Sequence, residues 1–99
     1  MVVPYKNIAE LLDSRQDYQL VSVMAKEEHQ AIDDDTIYID PKDTDKLKEL
    51  AKQKPTVVYC RSGRVSRALI SKIIKEHPSA KLYNLEDGLK GYQKFKALS

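Results

Sequence analysis

Residues Thr56-Val-Val-Tyr59 form an unbroken run of β-branched and aromatic side chains opened by Pro55. After the six-residue turn Cys60-Arg-Ser-Gly-Arg-Val65 comes an amphipathic run with Leu69, Ile70, Ile73 and Ile74 on one stripe and Lys72, Lys75 and Glu76 facing outward. The first run reads as a buried strand, the second as a helix from Ser66 closed by Pro78. A strand that passes through a tight turn into a helix resting on its sheet admits few folds, and the rest of the chain repeats the theme. Asn7 caps a short helix to about Asp13, with Ile8, Leu11 and Leu12 at helical spacing, and the polar stretch Ser14 to Asp17 ends it. The apolar run within Gln19–Met24 suits a strand covered on both faces, and Lys26–Asp35 fits a loop or a short helical turn. Thr36–Ile39 is a further strand, stopped by Asp40-Pro41, because proline offers no donor and restricts the residue before it.

A helix capped by Asp43 or Thr44 buries Leu47, Leu50 and Ala51 and ends at Lys54-Pro55. Beyond Pro78, Ala80–Leu85 alternates like a strand, Glu86-Asp-Gly88 turns, and Leu89, Tyr92 and Phe95 mark a last helix. Strands alternating with helices imply an α/β fold on a parallel sheet with right-handed crossovers. In such sheets ligands sit at the carboxyl ends of the strands, which is where Cys60 falls.

With 99 residues the chain holds one core, and the single domain is expected to span residues 1–99. At 41% apolar and 32% charged, with three glycines, it has the make-up of an ordinary globular domain. No stretch approaches the roughly 20 apolar residues that cross a bilayer, and Met1–Lys6 is too short for the apolar region of a signal peptide. A cytoplasmic location is the default expectation. The lone cysteine cannot form an internal disulfide, and neither His29 nor His77 has a His or Cys at ligand spacing, so neither an oxidising compartment nor a bound metal is expected. Between Glu27 and Asp45 stand eight acidic residues against Lys42 alone, an acidic segment. Three of the four arginines, Arg61, Arg64 and Arg67, fall within eight residues of Cys60. That clustering suggests a local anion site rather than a nucleic-acid face, which needs a broader basic stripe and exposed aromatics.

The turn itself carries the chemistry. A cysteine at a helix N-terminus beside arginines can ionise well below an ordinary thiol, and Ser62 and Gly63 let the backbone curl so that several N–H groups converge on one point. A thiolate in such a nest can attack sulfur, phosphorus, arsenic or a disulfide. The plain alternative is that Cys60 is a small buried hydrophobe at a strand end.

Val57-Val-Tyr-Cys-Arg-Ser-Gly-Arg-Val-Ser66-Arg-Ala resembles the active-site loop of the rhodanese-like, single-domain sulfurtransferase family. Ile8-Ala-Glu-Leu-Leu12 is similar to that family's first helix, Leu20-Val-Ser-Val-Met24 to its Leu-Ile-Asp-Val-Arg strand, and Leu85-Glu-Asp-Gly-Leu-Lys-Gly-Tyr92 to its late Gly-Gly-Trp segment. The resemblance implies a three-layer fold with a mostly parallel sheet of about five strands between helices. It implies the transfer of a sulfane sulfur from a donor such as thiosulfate to cyanide or a thiol, with Cys60 as nucleophile and carrier. The amides from Arg61 through Ser62, Gly63, Arg64 and Val65 to Ser66 would bind the substrate anion and stabilise the persulfide. Arg64 is the side chain expected to grip a sulfonate, with Arg61 or Arg67 adding positive potential. No cofactor is needed. The implied partners are a small sulfur-containing anion and a thiol acceptor, a sulfur-carrier protein among the acceptors, without nucleic acid or membrane.

The chain departs from the family where Ser22 and Met24 replace an Asp and an Arg, where Glu28-His-Gln-Ala-Ile32 replaces a Gly-His-Ile-Pro-Gly-Ala stretch, and where Val65 replaces a frequent Arg. His29 reads as a surface histidine. Two rival functions remain on this basis. A Cys-dependent phosphatase or arsenate reductase places an Arg six residues after its Cys, where this chain has Ser66 and Arg67 comes one residue late. A catalytically weak or inactive rhodanese-like binding module would instead use the acidic Glu27–Asp45 face to dock a basic partner.

Overall fold

The computed structural model describes residues 3–98; Met1 and Val2 of the Met1–Lys6 run, and Ser99, lie outside the described residues. In chain order the elements are β1 (Tyr5–Lys6), α1 (Ile8–Asp13), β2 (Gln19–Ser22), β3 (Ile37–Tyr38), α2 (Thr44–Gln53), β4 (Thr56–Tyr59), α3 (Arg64–Glu76), β5 (Leu82–Leu85) and α4 (Gly88–Leu98), with a single 3-10 turn at Arg15–Asp17. The five strands form one sheet in the order β1-β5-β4-β2-β3, every pairing parallel. The helices pair off, α1 with α4 and α2 with α3, giving helical layers about the sheet. The expected α/β fold with its parallel sheet and flanking helices is what the chain adopts.

Local chemistry accounts for the boundaries. Asn7 closes a capping box with Glu10, accepting the Glu10 amide at 2.8 Å while the Glu10 carboxylate accepts the Asn7 amide at 3.4 Å. Asp43, rather than Thr44, caps α2 through the Lys46 amide. All four residues of β4 are buried, as its place between β2 and β5 requires. The core gathers Leu20 and Val21 of β2, Val57, Val58 and Tyr59 of β4, Leu82 and Leu85 of β5, and Leu11, Leu47, Ile70 and Ile73 from the helices.

Several boundaries differ from the sequence expectation: β3 is confined to Ile37–Tyr38 of the expected Thr36–Ile39, and β5 to Leu82–Leu85 of the expected Ala80–Leu85. β2 ends at Ser22, although Val23 and Met24 remain buried and the Val23 amide still donates to the Tyr59 carbonyl at 2.9 Å. α3 begins at Arg64 and not at Ser66, since Gly63 in a left-handed conformation (φ 94°) ends the turn early and its carbonyl accepts the Arg67 amide at 3.1 Å. β1 adds an edge strand that no periodicity of two residues reveals; it pairs Tyr5 with Asn84 and Lys6 with Leu85.

Among the described residues no helix is long and apolar enough to cross a membrane.

Candidate active site

Cys60 follows the last residue of β4, at the carboxyl end of the sheet's central strand. The chain must reverse there within three residues, and the positive φ of Gly63 lets it do so, a conformation that costs a residue with a Cβ. The reversal directs the Gly63 amide at Cys60 Sγ, 3.2 Å away, and the first turn of α3 adds the Ser66 amide at 3.4 Å. Both are orphan donors that a helix start leaves unpaired, so the sulfur occupies the place an anion takes at a helix N-terminus. The Ser66 hydroxyl lies 3.4 Å from the same sulfur.

The outward carbonyls of the turn are held from the other side. Leu89 and Lys90, in the first turn of α4, donate their amides to the carbonyls of Cys60 and Arg61 at 2.8 and 3.0 Å. One helix start thus faces the sulfur while a second ties down the carbonyls, and the amides of the turn point inward as a result. The two backbones approach so closely that Gly88, at φ 56°, has no room for a side chain. A Cβ there would lie 2.9 Å from the Arg61 carbonyl oxygen and the Gly63 nitrogen and would collide with the Cys60 carbonyl. Asn84 of β5 completes the cradle, donating from Nδ2 to the Gly63 carbonyl at 3.1 Å and accepting the Ser66 hydroxyl at 2.5 Å.

Cys60 is 4% exposed, so reactivity requires that its anion be supported from within the protein. Burial pushes the thiol up, but the Ser66 hydroxyl and the amides of Ser66, Gly63 and Val65 together outweigh burial and leave it below its ordinary value. These largest contributions are burial and hydrogen bonds, whereas the sequence expectation credited the arginines as well. The thiol lies at the base of a depression lined by Val23, Met24, Ala25, Pro41 and Val65, with the exposed Arg61, Ser62 and Glu28 beside them. Arg64 and Arg67 line a different depression, shared with Tyr5, Asn84, Glu86 and Asp87 on the β5 side of the loop. Of the arginines expected near substrate, Arg61 is therefore the one beside the depression over the sulfur. Gly63 and Ser66 are brought to the sulfur itself, Ser62 lies between the two depressions, and Val65 supplies an apolar wall. The place six residues after the cysteine is filled by the buried Ser66.

His29 corrects the expectation of a surface histidine. It is partly buried, its Nδ1 lies 2.8 Å from the Ser22 hydroxyl, and its ring packs at 5.1 Å from that of Tyr38. Ser22 is fully buried at the end of β2, paired beside Tyr59 of β4, so a hydroxyl–imidazole contact occupies the strand end next to the loop. Asn84, Gly88 and the amides of Leu89 and Lys90 were not expected at the site. Asn84 carried one signal, being a residue disfavoured in strands set within Leu82-Tyr-Asn-Leu85.

A buried thiol below its ordinary pKa, contacted by backbone amides at the carboxyl end of a central parallel strand, defines a class of α/β domains with a cysteine at a strand-turn-helix. Within that class the chain belongs to the rhodanese-like domain family, which it matches over residues 6–95. Among solved structures it is similar to a rhodanese-related protein from Thermoplasma volcanium, with TM-score 0.77 and 20% identity over 92% of this chain and 91% of that one. It is also similar to part of the reduced CoADR-RHD protein of Bacillus anthracis, with TM-score 0.72 and 20% identity over 91% of this chain and 16% of that one. A third similarity is to a NAD-dependent persulfide reductase from A. fulgidus, with TM-score 0.68 and 26% identity over 91% of this chain and 16% of that one. No curated protein matches the chain significantly.

Proposed function

We propose that the protein is a sulfurtransferase in which Cys60 carries a sulfane sulfur as a persulfide. The observation that carries this reading is the pair of amides, from Gly63 and Ser66, directed at a buried sulfur. The thiolate attacks the outer sulfur of a donor such as thiosulfate. The donor's sulfur–sulfur bond breaks, sulfite leaves with the bonding pair, and the enzyme holds a Cys60 persulfide whose negative charge sits on the outer sulfur. Cyanide or a thiolate then attacks that outer sulfur, and the bond to Cys60 breaks to return the thiolate. The amides stabilise whichever sulfur bears the charge, as an oxyanion hole does, without reorganising during the step. Arg61 supplies positive potential where an anionic donor enters, and the cycle needs no cofactor.

The apolar walls from Val23, Met24, Ala25, Pro41 and Val65 favour organic persulfides as donors alongside thiosulfate. The similarity to a persulfide reductase is consistent with that breadth. The test is steady-state transfer to cyanide, read as thiocyanate, with thiosulfate and glutathione persulfide as parallel donors. Turnover with at least one donor that disappears in Cys60→Ser is expected. Absence of turnover with both donors would overturn the reading in favour of a binding module.

A further inference from the structure

Ser66 has one hydroxyl proton and two neighbours that compete for it. The Gly63 carbonyl can only accept, so the Asn84 atom 3.1 Å from it must be the amide nitrogen. The Asn84 oxygen then faces Ser66 Oγ at 2.5 Å, and because that oxygen cannot donate, the proton on this short contact is the serine's own. With its proton committed to Asn84, Ser66 turns a lone pair toward Cys60 Sγ at 3.4 Å, where only the thiol proton can complete a bond. The network closes on itself, since the Gly63 amide donates back to the sulfur at 3.2 Å.

We propose that Asn84 is a positioning residue that holds the Ser66 hydroxyl proton away from the sulfur while Cys60 is protonated or loaded, and yields it when the charge sits on Sγ. A thiolate accepts only, so ionisation of Cys60 requires the Ser66 hydroxyl to rotate from Asn84 to sulfur. No bond between heavy atoms changes. When Sγ takes up a second sulfur, the negative charge moves to the outer atom and the hydroxyl returns to Asn84. Ser66 thus follows the charge on Cys60, and Asn84 prevents the thiolate from being so favoured that the persulfide is disfavoured. Gly63 keeps a second donor, the Arg67 amide at 3.1 Å, so its carbonyl is not orphaned when Asn84 is replaced. The charged groups around the sulfur are Glu28 and Arg61 on the β2 side and Arg64, Arg67, Glu86 and Asp87 on the β5 side. All are common to the variants compared and cancel in their differences.

The inference deepens the persulfide reading and rests on it for its role in turnover, but its test does not require a sulfur donor. The pH dependence of Cys60 alkylation by iodoacetamide is measured in the wild type, Asn84→Ala, Ser66→Ala and the double variant. Freed from Asn84, the hydroxyl should serve the thiolate permanently, lowering the midpoint in Asn84→Ala by about one pH unit, the worth of one hydrogen bond to a charged acceptor. In the Ser66→Ala background the same replacement should leave the midpoint unmoved. A purely structural Asn84 would loosen the amide cradle and raise the midpoint toward that of a free thiol. A raised or unchanged midpoint in Asn84→Ala, or an equal shift with and without Ser66, overturns the inference. Asn84→Leu, nearer to asparagine in size, is read in the same way if the alanine variant does not fold. Sulfur transfer without these shifts would defeat this inference alone, and the shifts without sulfur transfer would defeat the persulfide reading alone.

Discussion

In the proposed reaction Cys60 is the nucleophile, and its surroundings divide into two kinds of support, backbone amides that contact the sulfur and arginines placed to act on a donor that approaches it. The amides of Gly63 and Ser66 are in direct contact, whereas the arginines are separated by position. Arg61 borders the depression over the sulfur, while Arg64 and Arg67 line the depression beside Tyr5. This ranks their effects. Arg61→Ala should raise KM for thiosulfate several-fold with little change in kcat, the mark of lost uniform binding, and Arg64→Ala should change it less. Steady-state kinetics of the two variants with thiosulfate as the varied substrate checks the order, which is the reverse of the expectation from the sequence alone. The reversal has a geometric origin: the linear spacing of Cys60-Arg-Ser-Gly-Arg64 shows that both arginines are near, but Arg61 lies in the turn and Arg64 opens α3, and they border different depressions.

At the scale of elements, the loop is held between two helix starts, and the start of α4 matters as much as that of α3. Gly88 is the tightest point. Its positive φ and the approach of the Cys60 and Arg61 carbonyls leave no space for a methyl group. Gly88→Ala should therefore cost more than about 2 kcal/mol in urea unfolding, since backbone strain and a steric clash add. It should also reduce sulfur transfer more than tenfold if the loop shifts to make room. The segment between β2 and β3 is fastened differently. Arg15 donates from Nε and Nη2 to the Asp33 carboxylate at 2.6 and 3.1 Å, and from Nη1 to the Tyr18 carbonyl at 2.9 Å. The Arg15 guanidinium beside Asp33 holds its carboxyl below the ordinary value. A carboxyl depressed in the folded state stabilises fully above its unfolded value and loses that contribution as pH falls through the folded one. The pair is partly solvated, so Asp33→Asn should destabilise by about 1 kcal/mol at pH 7. The difference from wild type should shrink below about pH 4, and urea midpoints across that range measure it. The sequence showed these elements by period and punctuation, since Pro41, Pro55 and Pro78 interrupt the apolar runs. It did not show β1, whose two residues carry no period, nor Asn84 and the Gly63 carbonyl meeting across 21 positions. Partners that distant are set by register, and register appears only when the sheet is assembled.

Over the whole molecule, the all-parallel sheet brings the carboxyl ends of its strands to one end, so the segments following β2, β3, β4 and β5 converge there. Met24, Pro41, Cys60 and Gly88 come from those four segments and meet around one sulfur. This explains how much of the site was legible beforehand. The strand-turn-helix around Cys60 is local and could be read directly, together with the parallel fold that its alternation implies. The supporting walls come from elsewhere in the chain, and the Ser22–His29 contact stands where the sequence reading expected a surface histidine. Met24 and Val65 line the depression at Cys60 while the Gly63 and Ser66 amides contact the sulfur, so on the proposed reading these departures bear on which donor is used. The most direct measurement is the intact mass of the protein after incubation with thiosulfate or glutathione persulfide and removal of excess donor. A gain of one sulfur atom per chain, lost on adding cyanide and absent in Cys60→Ser, is the predicted result. An unchanged mass with both donors, or a gain that survives in Cys60→Ser, would contradict it.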